Sequence, residues 1–276
     1  NARHDSRVDT TTYAAFLHAN YRPTEKLEFT LGARLTKDEK AIDYRISDQS
    51  GLFTNSALKD KRSRTDFSPT VSVNYKASDD VMAYARYARA FKSGGWNADF
   101  VRSVSDMDFD DESVNAFELG LKTELLDKRV RLNLAAYLSK HKNYQVFSFV
   151  QLSNGGTALN VSNAGKLTSK GFEIEAEAAP TDWLTLFANY GYNDSTFDSF
   201  LNGGGPGVNF DGNSAADAPK HNLSLGASTN FDLGFASLIM QGDYTYRSSF
   251  YSNSDNLAVN RNNALQLVNL RAGLEK

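Results

Sequence analysis

Three glutamates at alternate positions, Glu173, Glu175 and Glu177, are the first residues in this chain whose spacing suggests chemistry. On an extended strand they share one face, and neighbours on that face lie ~6.5–7 Å apart. That approaches the carboxylate separation of inverting glycosidases. A charge row balanced by Lys and Arg of adjacent strands, such as Arg131, explains the pattern with fewer assumptions. A second acidic run, Asp106-Met107-Asp108-Phe109-Asp110-Asp111-Glu112, has alternating oxygens of the kind hard cations take, so Asp106, Asp108 and Asp110 are calcium candidates. The run lacks the glycine and the distal glutamate of an EF-hand loop, and a solvated acidic loop is the simpler reading. His18, His141 and His221 are far apart in sequence, and a nucleophilic triad would need Ser or Asp beside one of them. Their simpler role is as neutral polar groups on a wet face.

The wider inventory narrows the chemistry further. The chain has no cysteine and only 4 histidines, which removes disulfides, thiolate metal sites and cysteine nucleophiles. It contains no Gly-x-Ser-x-Gly elbow, no His-Glu-x-x-His, no P-loop and no dinucleotide fingerprint. We therefore expect no enzyme, no cofactor and no resident metal. With 30 basic and 33 acidic residues the net charge is −3, so no basic excess points to nucleic acid.

These residues sit in a chain of 276 residues dominated by period-two alternation. Phe117, Leu119, Leu121 and Leu125 alternate with Glu118, Gly120, Lys122 and Glu124. Val130, Leu132, Leu134, Ala136 and Leu138 alternate with Arg131, Asn133 and Ser139. Phe172 and Ile174 alternate with the glutamate row, and Leu184 to Tyr192, Leu223 to Ala227 and Val268 to Leu274 repeat the pattern. Each segment predicts a strand with one apolar and one polar face. Tight turns are expected at 22–26, 76–80, 125–129, 179–183 and 232–236, about fifty residues apart. Longer polar connections are expected near 41–63, 93–111, 148–165, 198–217 and 251–263. About eleven strands result, with all tight turns at one end and all long loops, including Trp96, Asn154 and Gly205, at the other.

Mean hydropathy is −0.47, and the longest apolar runs are far short of the ~20 residues of a membrane-spanning helix. A barrel strand alternates and looks polar on average, so the membrane stays open by that route. Strands of ~10–14 residues with short turns on one side and long loops on the other match an outer-membrane barrel better than a soluble repeat sheet. The charged set Glu118, Lys122, Glu124, Arg131, Glu173, Glu175 and Glu177 should face the lumen. Leu119, Leu121, Leu132, Leu134, Ile174 and Leu186 should face lipid.

The segment Tyr84-Ala85-Arg86-Tyr87-Ala88-Arg89-Ala90-Phe91-Lys92-Ser93-Gly94-Gly95-Trp96-Asn97 resembles the strand-to-loop signature of TonB-dependent outer-membrane receptors. Phe117 to Thr123, Ser162-Asn163-Ala164-Gly165, Lys170 to Glu175 and Pro219 to Leu223 resemble later strands of that family, in order. The Lys-Ser-Gly-Gly variety is similar to the iron-complex receptor branch. The resemblance implies an all-β, antiparallel, up-and-down transmembrane barrel of 22 strands in the bacterial outer membrane, closed by an N-terminal plug. It also implies uptake of a scarce nutrient, most often a ferric siderophore, powered by the TonB complex. Cobalamin and oligosaccharide share the scaffold as alternative cargoes. A non-transporting barrel or adhesin is the alternative of a different class. The plug, the TonB-contacting segment and a terminal aromatic strand are missing from residues 1–276, so we expect one partial barrel domain of a longer receptor. TonB would be met through regions outside this chain, and outer-membrane lipid by its apolar face.

On that resemblance the long loops are the binding surface. Lys92, Trp96, Asn97, Arg102, Tyr144, Phe147, Phe200, Phe210, Arg247 and Tyr251 cluster at their starts and ends. The cations suit a siderophore's carboxylates or catecholates, and the aromatics suit stacking on it. The same aromatics equally suit the interfacial girdle of a barrel, and Trp183, at a tight turn, suits the opposite girdle.

Overall fold

The computed structural model describes residues 2–49, 55–98, 104, 107–151, 157–203 and 207–276. Arg102, Asp106, Asn154 and Gly205 lie outside the described residues, as does Phe100. In chain order the strands are β1 (Ala2–Tyr21), β2 (Leu27–Asp48), β3 (Ser56–Ser78), β4 (Val81–Lys92), β5 (Gly95–Trp96), β6 (Asp108–Phe109), β7 (Glu112–Leu125), β8 (Val130–Gln151), β9 (Thr157–Thr181), β10 (Leu184–Ser199), β11 (His221–Asp232), β12 (Ser237–Arg247), β13 (Phe250–Tyr251), β14 (Arg261–Asn262) and β15 (Leu265–Glu275). Eleven of them form one antiparallel sheet in the order β1-β2-β3-β4-β7-β8-β9-β10-β11-β12-β15. Chain order equals spatial order, so the topology is up-and-down. The order is linear, the sheet is open, and β1 and β15 are its edges. There is no α-helix among the described residues.

The register carries the alternation of each strand across the whole sheet. Ala83, Leu121, Leu134, Ile174, Tyr190, Leu223 and Tyr246 pair directly, strand by strand, on one face. One residue along each strand, Met82, Lys122, Asn133, Glu175, Asn189, Ser224 and Thr245 pair on the other. A one-residue slip would exchange the two sets, so the pattern and the register fix each other. The seven charges and the six aliphatic residues expected on opposite faces are on opposite faces.

The polar face is also where glycine and aromatic residues interlock. Tyr84 pairs with Gly120, Tyr137 with Gly171 and Phe187 with Gly226. The Tyr84 and Phe187 rings occupy the space a Cβ would need at Gly120 and Gly226, and at Gly171 the Tyr192 carbonyl and the Tyr137 phenol fill it together. A large ring laid over a cross-strand glycine restores the packing that glycine lacks in a strand. The phenol hydroxyls are held as well: Tyr84 donates to Glu118 at 2.6 Å and Tyr137 to Asn193 at 2.9 Å.

The tight turns fall together at one end. Leu126–Arg129 closes with Arg129 N–H donating to Leu126 O at 3.1 Å, and Asp127 and Lys128 have φ of 54° and 64°. Positive φ at both central positions matches the twist of the flanking strands. At the same end Trp183 and Phe231 meet edge-to-face, 5.9 Å apart and both exposed.

The strands run further at the loop end than the composition suggests. Residues 41–48 and 56–63 are strand, and β8 and β9 stay paired from Tyr144↔Ala164 to Gln151↔Thr157. The charged residues Asp43, Arg45, Asp48, Lys59, Lys61 and Arg62 make 41–63 read as a polar connection, although Ile42, Tyr44 and Ile46 carry the period-two alternation of β2 onward. Among the described residues the buried apolar side chains gather at the loop end: Ile42, Tyr44, Ile46, Trp96 and Met107 form one cluster, and Val146, Ala164, Leu167, Phe197, Phe200 and Ala215 a second.

Candidate functional site

The loop end of the polar face is where connecting segments fold back over the sheet. Glu112 opens β7 thirteen residues before Leu125. At ~3.3 Å per residue and ~45° tilt that places it ~30 Å from the turns, beyond a ~25 Å apolar band.

The segment after β4 is the best-anchored piece of this surface. β5 and β6 pair as Gly95↔Phe109 and Trp96↔Asp108. Gly94 lies so close to the Asp110–Asp111 backbone that a Cβ would stand 2.8 Å from the Asp110 carbonyl carbon, which explains glycine in Lys92-Ser93-Gly94-Gly95. Arg62 on β3 donates to Gly95 O at 2.8 Å and Phe109 O at 2.7 Å, and its guanidinium lies 5.7 Å from the centre of the Trp96 ring. Trp96 Nε1 donates to Asp60 at 3.3 Å, and Lys40 Nζ to Gly94 O at 2.8 Å. Asn97 bridges to β9: its Nδ2 donates to Val161 O at 2.9 Å, and its Oδ1 accepts from Val161 N–H at 2.8 Å. Asn163 repeats the device, accepting from Asp110 N–H at 2.6 Å and donating to Asp110 O at 3.0 Å.

Two buried carboxylates sit beside this hairpin. The Glu112 side chain contacts His141 Nδ1 at 2.8 Å and accepts from Gln145 N–H at 2.9 Å. Burial by itself would raise the Glu112 carboxyl; the His141 hydrogen bond, the Gln145 amide and the nearby Lys92 charge outweigh it and hold it below the ordinary value. Gln145 in turn donates to Asp110 O at 3.0 Å, which ties the pair to the loop. The Asp66 side chain, 1% exposed, binds Arg89 at 2.7 and 2.8 Å. Burial pushes it up, and hydrogen bonds from Arg89, Ser68 and Arg64 bring it below the carboxylate norm.

The second anchored segment follows β10. Phe197, Phe200 and Phe210 pack in series at 4.9 and 5.4 Å, and Tyr144 meets Phe197 edge-to-face at 6.0 Å. Ser214 N–H donates to Asn256 Oδ1 at 2.8 Å and Asn213 Nδ2 to Ser254 O at 2.9 Å, joining this loop to the one after β13.

The ten binding candidates therefore separate by role. Trp96, Asn97, Tyr144, Phe200 and Phe210 build the packed supports of the loops. Lys92 is exposed at the end of β4, and Phe147 is 63% exposed. Arg247 lies over the Phe250 ring at 4.7 Å, and Tyr251 accepts from Asp217 N–H through its carbonyl at 2.8 Å. Arg102 is outside the described residues. Asp108 is exposed, Asp110 lies 3.5 Å from Arg62, and no group of three His, Cys, Asp or Glu able to hold a metal occurs among the described residues. Two members of the glutamate row are partnered: Arg131 lies 3.8 Å from Glu177, and Asn133 donates to Glu175 at 3.3 Å. Sequence reasoning did not single out Arg62, Asp66, Gln145 or the Glu112–His141 pair. Their cross-strand partners are 23 to 53 residues away, and only the register reveals them.

Comparison with known proteins gives this arrangement a context. The family model for the TonB dependent receptor-like β-barrel matches residues 2–275. The ferrichrome outer membrane transporter/phage receptor of Escherichia coli K12 is 26% identical over 84% of this chain and 28% of its own length. The metal-pseudopaline receptor of Pseudomonas aeruginosa is 27% identical over 62% of this chain and 22% of its own. Among solved structures, the ferric yersiniabactin uptake receptor of Yersinia pestis superposes with a TM-score of 0.81 at 21% identity, over 99% of this chain and 39% of that one. The siderophore receptor PiuA of Acinetobacter baumannii gives 0.74 at 20% identity, over 98% and 37%. The chain thus spans about a quarter of the curated relatives' length, and those relatives are receptors and transporters. An apolar face that passes unbroken across eleven strands is the lipid-facing surface of such a barrel, and the polar face lines its interior. The chain is a β-barrel segment belonging to the TonB-dependent receptors of the Gram-negative outer membrane.

Proposed function

We propose that this chain forms one partial-barrel unit, residues 1–276, of a plugged 22-stranded receptor that imports a ferric siderophore under the drive of the TonB complex. The observation that carries the proposal is the family match along residues 2–275, in a chain whose relatives are named for metal chelates and siderophores. The loop architecture supports it: a rim of packed supports holds short, cation-bearing segments above the polar face. In this reading Lys92, Arg102 and Arg247 attract the anionic oxygens of the chelate, Phe147 and Tyr251 contact its organic framework, and Trp96, Asn97, Tyr144, Phe200 and Phe210 keep the loops in place. The cargo passes without covalent change, and the chain acts as no enzyme. The test is uptake of radiolabelled ferric chelates by a receptor-deficient strain supplied with the complete receptor, with and without TonB. TonB-dependent accumulation of iron with at least one chelate class is expected. Accumulation of cobalamin or an oligosaccharide in place of iron, or binding without uptake in either strain, would refute it.

A further inference from the structure

The ladder between β3 and β4 stops inside the barrel wall, although both strands continue. Their pairing runs from Ser78↔Val81 to Thr70↔Ala88. Above it β3 stays paired with β2 as far as Ile46↔Ser56, and β4 with β7 as far as Lys92↔Glu112. The next pair in register would be Pro69 with Arg89. Lys76 N–H donates to Lys26 O on the β2 side, so even residues of β3 turn their backbone groups to β2 and odd residues to β4. Pro69 is odd and has no N–H, so the ladder to β4 lacks its donor at that place. Ala88 lies seven residues from the start of β4, ~16 Å from the turns, within a ~25 Å apolar band. A proline in an interior strand at that depth makes a local edge, where an unpaired backbone group is costly.

Arg89 closes this edge with its side chain. Its guanidinium donates to the carbonyl of Phe67, the next odd residue of β3, and to the two oxygens of Asp66 at 2.7 and 2.8 Å. Arg89 belongs to the outward row of β4 and Asp66 to the inward row of β3, so the two meet in the gap between the strands. Toward the rim Arg64 lies 3.4 Å from Asp111, Arg62 holds Gly95 O and Phe109 O, and Lys40 holds Gly94 O. Side-chain contacts thus replace the ladder along the seam, and each can be released without unpairing a strand. We propose that the β3–β4 seam above Pro69 is a built-in joint. When the Asp66–Arg89 clamp lets go, the β2–β3 hairpin, with β1 paired along it, tilts away from β4 and widens the mouth. That the wider mouth admits a bulky chelate rests on the receptor reading above; the joint itself does not.

The test uses the complete receptor in lipid vesicles, free of other cysteines, with spin labels on Lys61→Cys and Lys142→Cys across the seam. A control pair, Thr11→Cys and Lys61→Cys, lies within the β1–β3 unit; all three positions are exposed. Distances are read by double electron–electron resonance without cargo. The cross-seam pair should show a major distance and a minor longer one. Arg89→Met should raise the longer population about tenfold or more, as expected for the loss of hydrogen bonds to a charged group. D66N/R89M leaves no unpaired buried charge, so it should keep the heat-modifiable fold and show the same rise. Pro69→Val returns an N–H to the ladder, so in the Arg89→Met background it should bring the population back toward wild type. The control distance should hold in every variant. An unchanged cross-seam distance in D66N/R89M, no reversal by Pro69→Val, or a control pair that shifts as much as the cross-seam pair would each overturn the proposal. Because no cargo is present, the result stands apart from the uptake assay: a protein that imports no iron can show the joint, and one that imports iron can lack it.

Discussion

Leu119→Arg is the sharpest perturbation of the face assignment, because Glu118 beside it in sequence, at nearly the same depth, points the other way. Leu119 lies six residues before the end of β7, ~14 Å from the turns, close to the midplane of a ~25 Å apolar band. It is 63% exposed. Its cross-strand neighbours are Ala85 and Ala136, and the residues around them on that face are Tyr87, Phe117, Leu121 and Leu138, none of which carries a negative charge. An arginine there costs ~2–4 kcal/mol in a bilayer. Glu118→Gln instead weakens one hydrogen bond, from the Tyr84 hydroxyl at 2.6 Å, for which ~1–2 kcal/mol is expected. The assay is urea-induced unfolding of the complete receptor in lipid vesicles, followed by loss of the heat-modifiable band, with the same variants repeated in detergent. Leu119→Arg should lose more stability than Glu118→Gln in vesicles, and the gap should shrink in detergent, where the micelle deforms around the charge. A neutral Leu119→Arg together with a severe Glu118→Gln would mean that the polar face meets lipid, and the barrel assignment of the two faces would fail.

Three further outcomes follow from particular contacts. Gly171→Ala places a methyl against the Tyr192 carbonyl and the Tyr137 ring, whereas Gly191→Ala meets nothing within 4 Å; thermal unfolding should show a loss of ~1–3 kcal/mol for the first and little change for the second. Asn97→Ala removes both bonds to the Val161 backbone, so limited proteolysis should cut the 93–111 segment faster while the melting temperature of the sheet holds. Glu112 has a folded pKa below its unfolded value of 4.5, so its stabilising contribution is present above that pH and is lost as pH falls through the folded pKa. Trp96 fluorescence, followed against pH, should report loosening of the loop below pH 4.5 in the wild type; Glu112→Gln should flatten that transition, and an unchanged transition would show that Glu112 does not control it.

The strands, their two faces and the grouping of the tight turns were legible in the sequence, because each is a local property. Alternation from Phe117 to Leu125 or from Phe172 to Glu177 states which side chains share a face, whatever the partner strand. The turn at 125–129 announces itself by its polar residues between two such runs. The extended hairpins of β2–β3 and β8–β9 were read as polar connections because charged and polar residues crowd them; Ile42, Tyr44 and Ile46 continue the alternation, but only the pairing shows how far the ladders run. The support of the loops was hidden for a different reason. Arg62 reaches Gly95 and Phe109, and Glu112 meets His141, only after the register sets strands side by side that are distant in the chain. Trp96 illustrates the same division. Its type and place in the chain suggested a surface for ligand or lipid, yet packing against Ile42, Tyr44 and Ile46 makes it part of the rim's small core. Residue order determined how each strand divides between water and lipid. Pairing between strands decided which polar groups came close enough to hold the loops, because hydrogen bonds act over ~3 Å and sequence distance says nothing about that separation.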